Sequence, residues 1–322
     1  NEIITINDYS FHTLSSLEFV SIPYATKVSL NNNSFEDCKN IKNIVIGGCS
    51  NVFIGNHCFS GNLNLKLIEL SAGDLHIGNS AFANCTKIGE HLTFKYDREN
   101  TDKKYNCLIG DYAFYGCTKL KYLVQITDND CYRIGSIGNN AFERTSLTGD
   151  LVIPNSIKII GSYAFRGCTL GKLTINNKNS VLEIIGEGAF QNTAVSGNIV
   201  MPSSLRVIDN NAFENCRNLG SISFGFSGTP SEYNSLIIGS NAFSRSSISG
   251  NLIIPSNTIL ILDSAFEGCN QLTSLSFEDN GNRIKLIICD NAFKDCALTK
   301  ELLLPYQLVN SLSTFNANSY LS

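Results

Sequence analysis

Residues 160–168, with the sequence IGSYAFRGC, show a pattern that recurs along nearly the whole chain. Residues 77–85, with the sequence IGNSAFANC, repeat it almost letter for letter. Aligned on the phenylalanine, the pattern occurs twelve times at spacings of 23 to 32 residues. A fixed minimum with variable additions is typical of stacked coils with optional loop insertions, so the sequence predicts a repeat solenoid. The aligned phenylalanines are Phe11, Phe35, Phe59, Phe82, Phe114, Phe142, Phe165, Phe190, Phe213, Phe243, Phe266 and Phe293.

Other positions keep a fixed distance from this phenylalanine. Four residues before it lies a glycine, asparagine or aspartate in ten of the twelve repeats; in the last two, Leu262 (followed by Asp263) and Cys289 take that place. These residue types tolerate left-handed or turn geometry, so we expect a tight corner there. Three residues after it, ten of the twelve repeats have Cys, Thr or Ser, small residues suited to a stacked interior column. In seven repeats this residue is a cysteine: Cys38, Cys85, Cys117, Cys168, Cys216, Cys269 and Cys296.

After this small residue comes an apolar run of the form Leu-x-x-Leu-x-Leu, as at Leu219, Ile222 and Phe224. Its alternating end predicts one short strand per coil, and five of the six prolines directly follow such a run. A second apolar segment then leads to the next corner. The predicted fold is a leucine-rich-repeat solenoid of about twelve coils, with a parallel β-sheet on one face, mostly β-structure and turns, and little α-helix. We expect one solenoid over residues 1–305, followed by a C-terminal cap or tail at 306–322.

The repeat, Ile-Gly-x-x-Ala-Phe-x-x-Cys-x-x-Leu-x-x-Leu-x-Ile-Pro, resembles the BspA-like class of leucine-rich repeats over residues 4 to 305. The resemblance implies surface proteins of oral bacteria and of parasitic protists such as trichomonads and Entamoeba. In that family the repeats are associated with adhesion to host cells, extracellular matrix or other microbes.

Insertions fall at one place in the coil, between the strand and the second apolar segment, at 95–106, 127–133, 176–180, 225–235 and 278–283. Insertions at one coil position line one edge of a solenoid, and such edges often bind partners. The alternative is that they are tolerated polar loops and nothing more. The candidate binding edge consists of Tyr96, Arg98, Tyr105, Tyr132, Arg133, Phe226, Tyr233 and Arg283.

The outward position of the predicted strand gives a second candidate surface. Its residues are largely β-branched or small, which either reflects β-propensity or indicates a flat, weakly apolar sheet that docks a partner. The candidate sheet face consists of Val124, Val152, Thr174, Val200, Ser223, Ile253, Ser276 and Leu303.

Residues that could carry chemistry do not converge. His12, His57, His76 and His91 lie in different coils, and no Cys-x-x-Cys pair or phosphate-binding loop occurs. The sequence therefore predicts no catalytic, cofactor-binding or metal-binding residues. The net charge of −4 argues against a nucleic-acid partner. The sequence contains no apolar stretch of about 18 residues, so it predicts no membrane span.

The twelve cysteines divide into two groups. We expect the column cysteines to be buried and reduced, because stacked side chains with parallel Cβ vectors do not suit a disulfide. Cys107 and Cys131 lie in or next to neighbouring insertions and form the candidate disulfide pair.

The function predicted is that of a non-enzymatic protein-binding or adhesion module at the cell surface or secreted. Its partner would be a protein, a glycoprotein or matrix. The alternative is an intracellular, cytoplasmic scaffold in a cytoskeletal or multiprotein assembly.

Overall fold

The computed structural model describes residues 2–89, 91–95, 105–124, 132–226, 232–279, 285–299, 302–304 and 308–309. They form a parallel β-solenoid of about ten turns with almost no helix, which confirms the predicted fold class. The chain divides into two compact units, Asn1–Gly149 and Asp150–Ser322. The single solenoid over residues 1–305 and the cap at 306–322 stay predictions.

The first unit contains strands of two lengths, because β4 and β5 each cover two sides of a coil without a break. Its strands are β1 (Ile3–Ile6), β2 (Phe19–Ile22), β3 (Lys27–Leu30), β4 (Asn43–Ile54), β5 (Leu67–Ile77), β6 (His91–Lys95), β7 (Tyr105–Ile109), β8 (Tyr122–Val124) and β9 (Tyr132–Ile137).

The second unit has shorter and more regular strands. They are β10 (Thr148–Ile153, which begins at the boundary), β11 (Ile159–Ile160), β12 (Thr169–Ile175), β13 (Ile184–Ile185), β14 (Ser196–Met201), β15 (Val207–Ile208), β16 (Asn218–Phe224), β17 (Leu236–Ile238), β18 (Ser249–Ile254), β19 (Thr258–Ile261), β20 (Gln271–Phe277), β21 (Leu286–Ile288) and β22 (Leu308–Val309). A single 3-10 turn at Glu232–Asn234 is the only helical element among the described residues.

Each coil contributes strands to two parallel sheets, whereas the sequence analysis predicted one. The leucine sheet is built from the predicted Leu-x-x-Leu-x-Leu strands, which in the first unit are β2, β6, β8 and the first halves of β4 and β5. In the second unit the leucine strands form two separate parts, a four-stranded one (β10, β12, β14 and β16) and a two-stranded one (β18 and β20). The corner sheet is built from the segments just before each corner: β1, β3, the second halves of β4 and β5, β7 and β9 in the first unit, and β11, β13, β15, β17, β19, β21 and β22 in the second.

The second sheet exists because the short apolar segment before each corner stacks in register on its neighbours. Ile184 pairs with Val207, and Ile185 with Ile208, so the backbone groups of these two-residue strands are satisfied by the adjacent coils. The single-sheet prediction was therefore wrong in this detail.

The aligned phenylalanines form stacked columns inside each unit. Ring centroids lie 5.3 Å apart between Phe82 and Phe114 and 5.1 Å apart between Phe266 and Phe293, with nearly parallel planes. The phenylalanines and cysteines of the predicted core are all buried: Phe82, Phe114, Phe142, Phe165, Phe190, Phe213, Phe243, Phe266, Phe293, Cys85, Cys117, Cys168, Cys216, Cys269 and Cys296.

The terminal repeats are less regular than those between them. Phe11 begins its column and keeps 38% of its surface exposed. Residues 302–304, after the last aligned phenylalanine, form no strand. Within the predicted tail, Leu308 and Val309 form a strand parallel to β21, and the remainder of 306–322 lies outside the described residues.

The glycine at the corner is explained by close packing between coils. Gly55 and Gly78 are not in the left-handed region, which corrects the expectation from sequence. A Cβ on Gly78 would lie 2.7 Å from the backbone carbon of Gly55, one coil earlier. The left-handed residues lie instead two positions before and after the phenylalanine, as Tyr163 and Gly167 do around Phe165.

Candidate functional site

The predicted sheet face is formed in the second unit by the outward side of the leucine sheet. Along β14, Ile199 and Met201 are buried and Val200 between them is 39% exposed. Val200 pairs with Ser223, and Ile253, which is 46% exposed, pairs with Ser276. The same alternation leaves six outward side chains exposed or half-exposed: Val152, Thr174, Val200, Ser223, Ile253 and Ser276.

The two remaining residues of this predicted face do not join the row. Leu303 is 74% exposed but lies outside any strand. Val124 ends β8 in the first unit, and its side chain lies outside the described residues.

Polar side chains flank the row where each strand begins. Asp150 accepts a hydrogen bond of 2.9 Å from the backbone N–H of Lys172, and Asn198 accepts one of 3.2 Å from the N–H of Ser221. Gly197 has a φ of +93°, and the register between β14 and β16 shifts directly after it. This bulge turns the Asn198 side-chain oxygen toward the next coil. The row itself is thus uncharged, and it has a polar margin that includes Asp150 and Lys172.

The predicted binding edge is described only in part. Tyr96, Arg98 and Arg283 lie outside the described residues. Tyr105 begins β7, and Tyr132 and Arg133 begin β9, so these three lie on paired strands and not on free loops. The side chains of Tyr105, Tyr132 and Arg133 lie outside the described part of the structure.

In the second unit the edge presents two aromatic side chains. Phe226 is half-buried, and Tyr233 is 94% exposed on the 3-10 turn. The carbonyl of Asn234 accepts hydrogen bonds from the buried Asn257 amide at 2.6 Å and from the Arg206 guanidinium at 3.4 Å. This anchoring holds an exposed tyrosine on a fixed backbone, an arrangement that suits contact with another protein.

Two cavities lie beneath this edge, next to the prolines that end the leucine strands. One is lined by residues that include Pro202, Phe226 and Asn257, and the other by residues that include Pro255 and Thr258. Each has a volume of about 10 Å³, which is room for about one water molecule. Pockets that bind small molecules measure about 300–1,000 Å³, so these cavities do not fit one.

The column cysteines bond to the backbone of the preceding coil. The thiol of Cys85 donates to the carbonyl of Phe59 at 3.1 Å, and that of Cys269 to the carbonyl of Phe243 at 3.2 Å. Burial raises the pKa of Cys85 and Cys216 to about 12. The thiols of Cys85 and Cys216 are therefore neutral at physiological pH and unsuited to nucleophilic chemistry.

The candidate disulfide pair lies partly outside the described residues, because Cys131 is not among them. Cys107 is fully buried in β7, where it pairs with Leu75 and Ile134 in the corner sheet. Burial raises its pKa to about 12. The pair therefore stays a prediction.

The described histidines are dispersed, as their positions in sequence indicate. The ring of His76 stacks on Phe53 at 4.9 Å, and burial lowers the pKa of His76. His12 lies 3.6 Å from Glu36. Among the described residues no group of three or more His, Cys, Asp and Glu side chains could hold a metal ion. Over the same residues, no helix is long and apolar enough to cross a membrane.

Two repeating features of the structure were not predicted from the sequence. In the first unit, side chains one residue past each corner form a ladder of hydrogen bonds between coils. The side chain of Asn56 accepts a hydrogen bond of 2.8 Å from the backbone N–H of Asn79, and the side chain of Asn79 accepts one of 2.9 Å from the backbone N–H of Asp111. The recurring Asn or Asp after the corner residue was its signal. In the second unit the corner sheet carries an outward apolar row, signalled by paired aliphatic residues such as Ile159–Ile160 and Ile237–Ile238.

Comparison with known families places these repeats. The model of the BspA type leucine rich repeat region matches residues 1–121, 103–149, 135–236 and 236–322, in six copies. The chain belongs to the BspA-type leucine-rich-repeat family. The expected resemblance is thereby confirmed over the whole chain. No curated protein matches the chain.

Solved structures of leucine-rich-repeat proteins resemble this BspA-type chain. A leucine-rich repeat protein from Bacteroides ovatus is 21% identical, with a TM-score of 0.55 over 98% of this chain and 86% of that one. The pneumococcal vaccine antigen PcpA is 19% identical, with a TM-score of 0.43 over 97% of this chain and 75% of that one. A leucine rich cell surface protein from Faecalibacterium prausnitzii is 18% identical, with a TM-score of 0.37 over 100% and 91%. The first of these supports the fold.

Proposed function

We propose that this BspA-type chain is a non-enzymatic protein-binding and adhesion module that acts at a cell surface or after secretion. The observation that carries the proposal is the flat outward row of the leucine sheet in the second unit. Six strands there, four in one parallel sheet and two in another, present uncharged side chains at the row itself, spaced about 4.8 Å apart within each sheet.

A protein surface is the partner that fits this row. A flat array of Val, Ile, Thr and Ser contributes apolar area with hydroxyl groups between, while Asp150 and Asn198 supply a polar margin. Tyr233, anchored on its turn at the edge, is the side chain best placed to act as a binding hot spot. The partner is then a protein, a glycoprotein or a matrix component.

Membership of the BspA-type family supports the surface location. The resemblance noted from the sequence implies proteins whose repeats are associated with adhesion to host cells, matrix or other microbes. The ligand therefore belongs to a host, a matrix or another microbe. An intracellular scaffold would bind none of these.

Binding to immobilised fibronectin, laminin and collagen, and to intact epithelial cells, tests the proposal. We expect the wild-type chain to bind at least one of them. Val200→Asp and Ile253→Asp each place a charge in the row and should weaken that binding tenfold or more. Tyr233→Ala should weaken it as well.

The matched control is Leu63→Asp, since Leu63 is 42% exposed and does not belong to the row. It should bind as the wild type does. The proposal is contradicted if the wild type binds none of these surfaces, or if the row variants bind as tightly as the control.

A further inference from the structure

The outward side of the corner sheet in the second unit carries an unbroken aliphatic row. Ile184 pairs with both Ile159 and Val207, and Leu260 with both Ile237 and Ile287, so the side chains follow one another across the strands. Ile159 is 36% exposed and Ile287 44%, and those between are half-exposed. The corner row consists of Ile159, Ile184, Val207, Ile237, Leu260 and Ile287.

Preference for β-structure alone does not explain this row. Strand propensity favours Thr, Tyr and Phe as much as Ile and Val. The equivalent outward row of the first unit is mixed, with Ser29, Phe53, His76, Leu108 and Ser136 in register. The second unit has an aliphatic residue at each of the six positions from β11 to β21, and Val309 of β22 pairs with Ile287. Exposed apolar rows of this kind mark interaction surfaces.

The two margins of the corner row carry opposite charge. The strands are parallel, so residues that precede the row lie along one margin and residues that follow it lie along the other. The preceding margin carries Lys158, Arg206 and Lys285, with Glu183 bound to Lys158 at 3.3 Å. The described residues of the following margin are acidic or neutral, and the acidic ones are Glu187, Asp209, Asp263 and Asp290.

We propose that the corner row is where a second copy of this chain docks, face to face and with its strands antiparallel to those of the first. A two-fold axis parallel to the direction of coil stacking keeps that direction and reverses the strands. The basic margin of each copy then faces the acidic margin of the other, and the two aliphatic rows meet at the centre. A strip that is apolar in the middle and oppositely charged at its sides is complementary to itself in this orientation.

The area of the strip sets the strength of the dimer. Six strands at about 4.8 Å span about 24 Å, and six residues across the row and its margins span about 20 Å. Two such faces bury roughly 1,000 Å², which lies at the weak end of specific interfaces. The dimer is therefore expected to be reversible and concentration-dependent.

This interface lies on a different sheet from the candidate binding face and does not depend on the proposed function. A dimer formed through the corner row leaves the leucine-sheet row of each copy open. Two binding faces in one particle raise the apparent affinity for a surface that presents many copies of a ligand.

Sedimentation equilibrium of the full chain over roughly a hundredfold range of concentration tests the interface. We expect the weight-average mass to rise from one chain toward two. Ile237→Asp should weaken the dimer tenfold or more, while Ile253→Asp, on the outward side of the leucine sheet, should dimerise as the wild type does. Ile237→Thr is the second variant, since threonine suits a strand and removes apolar surface without adding charge.

A charge exchange tests the antiparallel register. Asp290→Lys should weaken the dimer, because position 290 of one copy faces Lys285 in the same coil of the other, and adding Lys285→Glu should restore it. Asp209→Lys and Arg206→Glu form a second pair of the same kind in the coil of β15. A wild-type chain that stays monomeric throughout overturns the proposal. So does a dimer that Ile237→Asp and Ile237→Thr leave unchanged, or one that Ile253→Asp disrupts equally.

Discussion

The thiol of Cys85 donates a hydrogen bond of 3.1 Å to the backbone carbonyl of Phe59, one coil earlier. The bond joins two columns, since Phe59 stacks on Phe82 and Cys85 lies three residues after Phe82. Cys38 makes the same contact with the carbonyl of Phe11, and Cys117 with that of Phe82. The small residue three positions after the phenylalanine is thus a donor as well as a core side chain.

Substitutions at Cys85 separate these two roles. Cys85→Ser keeps a donor and should cost less stability than Cys85→Val, which fills the space but leaves the Phe59 carbonyl without its partner. A lost hydrogen bond to a buried group costs about 1–3 kcal/mol. Urea unfolding of both variants checks the order. If Cys85→Val were the more stable, the cysteine would act only as a small hydrophobe.

The phenylalanine column should dominate the stability of the coils. Phe190→Ala removes a fully buried ring that stacks on Phe165 and Phe213, and should cost about 3–5 kcal/mol. Phe11→Ala should cost less, because that ring is 38% exposed and stacks on one neighbour, Phe35. Melting temperatures of the two variants test this. Equal losses would show that the position in the column does not matter.

The corner glycine should resist substitution more than a left-handed glycine does. Gly78→Ala forces a Cβ to within 2.7 Å of the Gly55 backbone, where overpacking costs about 1–3 kcal/mol or more. Gly167→Ala, at a φ of +74° with nothing within 4 Å of the new Cβ, meets only the left-handed penalty of about 1–2 kcal/mol. The urea midpoints of both variants give the comparison, and a larger loss for Gly167→Ala would favour the explanation from turn geometry.

Alkaline pH should destabilise the fold through the buried thiols. Burial raises the pKa of Cys58, Cys85, Cys107 and Cys216 from 9.0 to about 12. The raised pKa contributes stability that is complete below pH 9 and is lost as the pH rises toward 12, because the unfolded chain releases these protons first. Within this window each thiol increases the unfolding equilibrium constant roughly tenfold per pH unit.

The melting temperature measured from pH 7 to 10.5 checks this prediction. The control is the double variant Cys85→Ser, Cys216→Ser, whose melting temperature should fall less steeply above pH 9. Identical slopes for the two proteins would mean that tyrosines and lysines cause the loss.

The core could be predicted from sequence because its signal repeats. Phe165 and Cys168 belong to a pattern with many copies, so each copy supports the others. The corner sheet was missed because strands such as β11 are two residues long, and no alternation is visible in two residues. The reason for Gly78 was missed because the clash lies between coils 23 residues apart in sequence.

The binding surfaces were harder to predict than the core. The outward position of Val200 follows from strand alternation. The anchoring of Tyr233 depends on Asn257 and Arg206, which lie 24 and 27 residues away in sequence and carry no local signal. Insertion boundaries were also misplaced at Tyr105 and Tyr132, because β7 and β9 begin before the insertions were expected to end.

A count of free thiols, native and then denatured and without reductant, tests the stacked-column account most directly. Ten of the eleven described cysteines are buried, and only Cys289 is partly exposed. The account predicts that at most two thiols, Cys289 and Cys131, react in the native chain, and that after denaturation twelve react, or ten if Cys107 and Cys131 form the predicted disulfide. Several reactive thiols in the native chain, or fewer than ten after denaturation, would contradict a core of closed coils with free, buried cysteines.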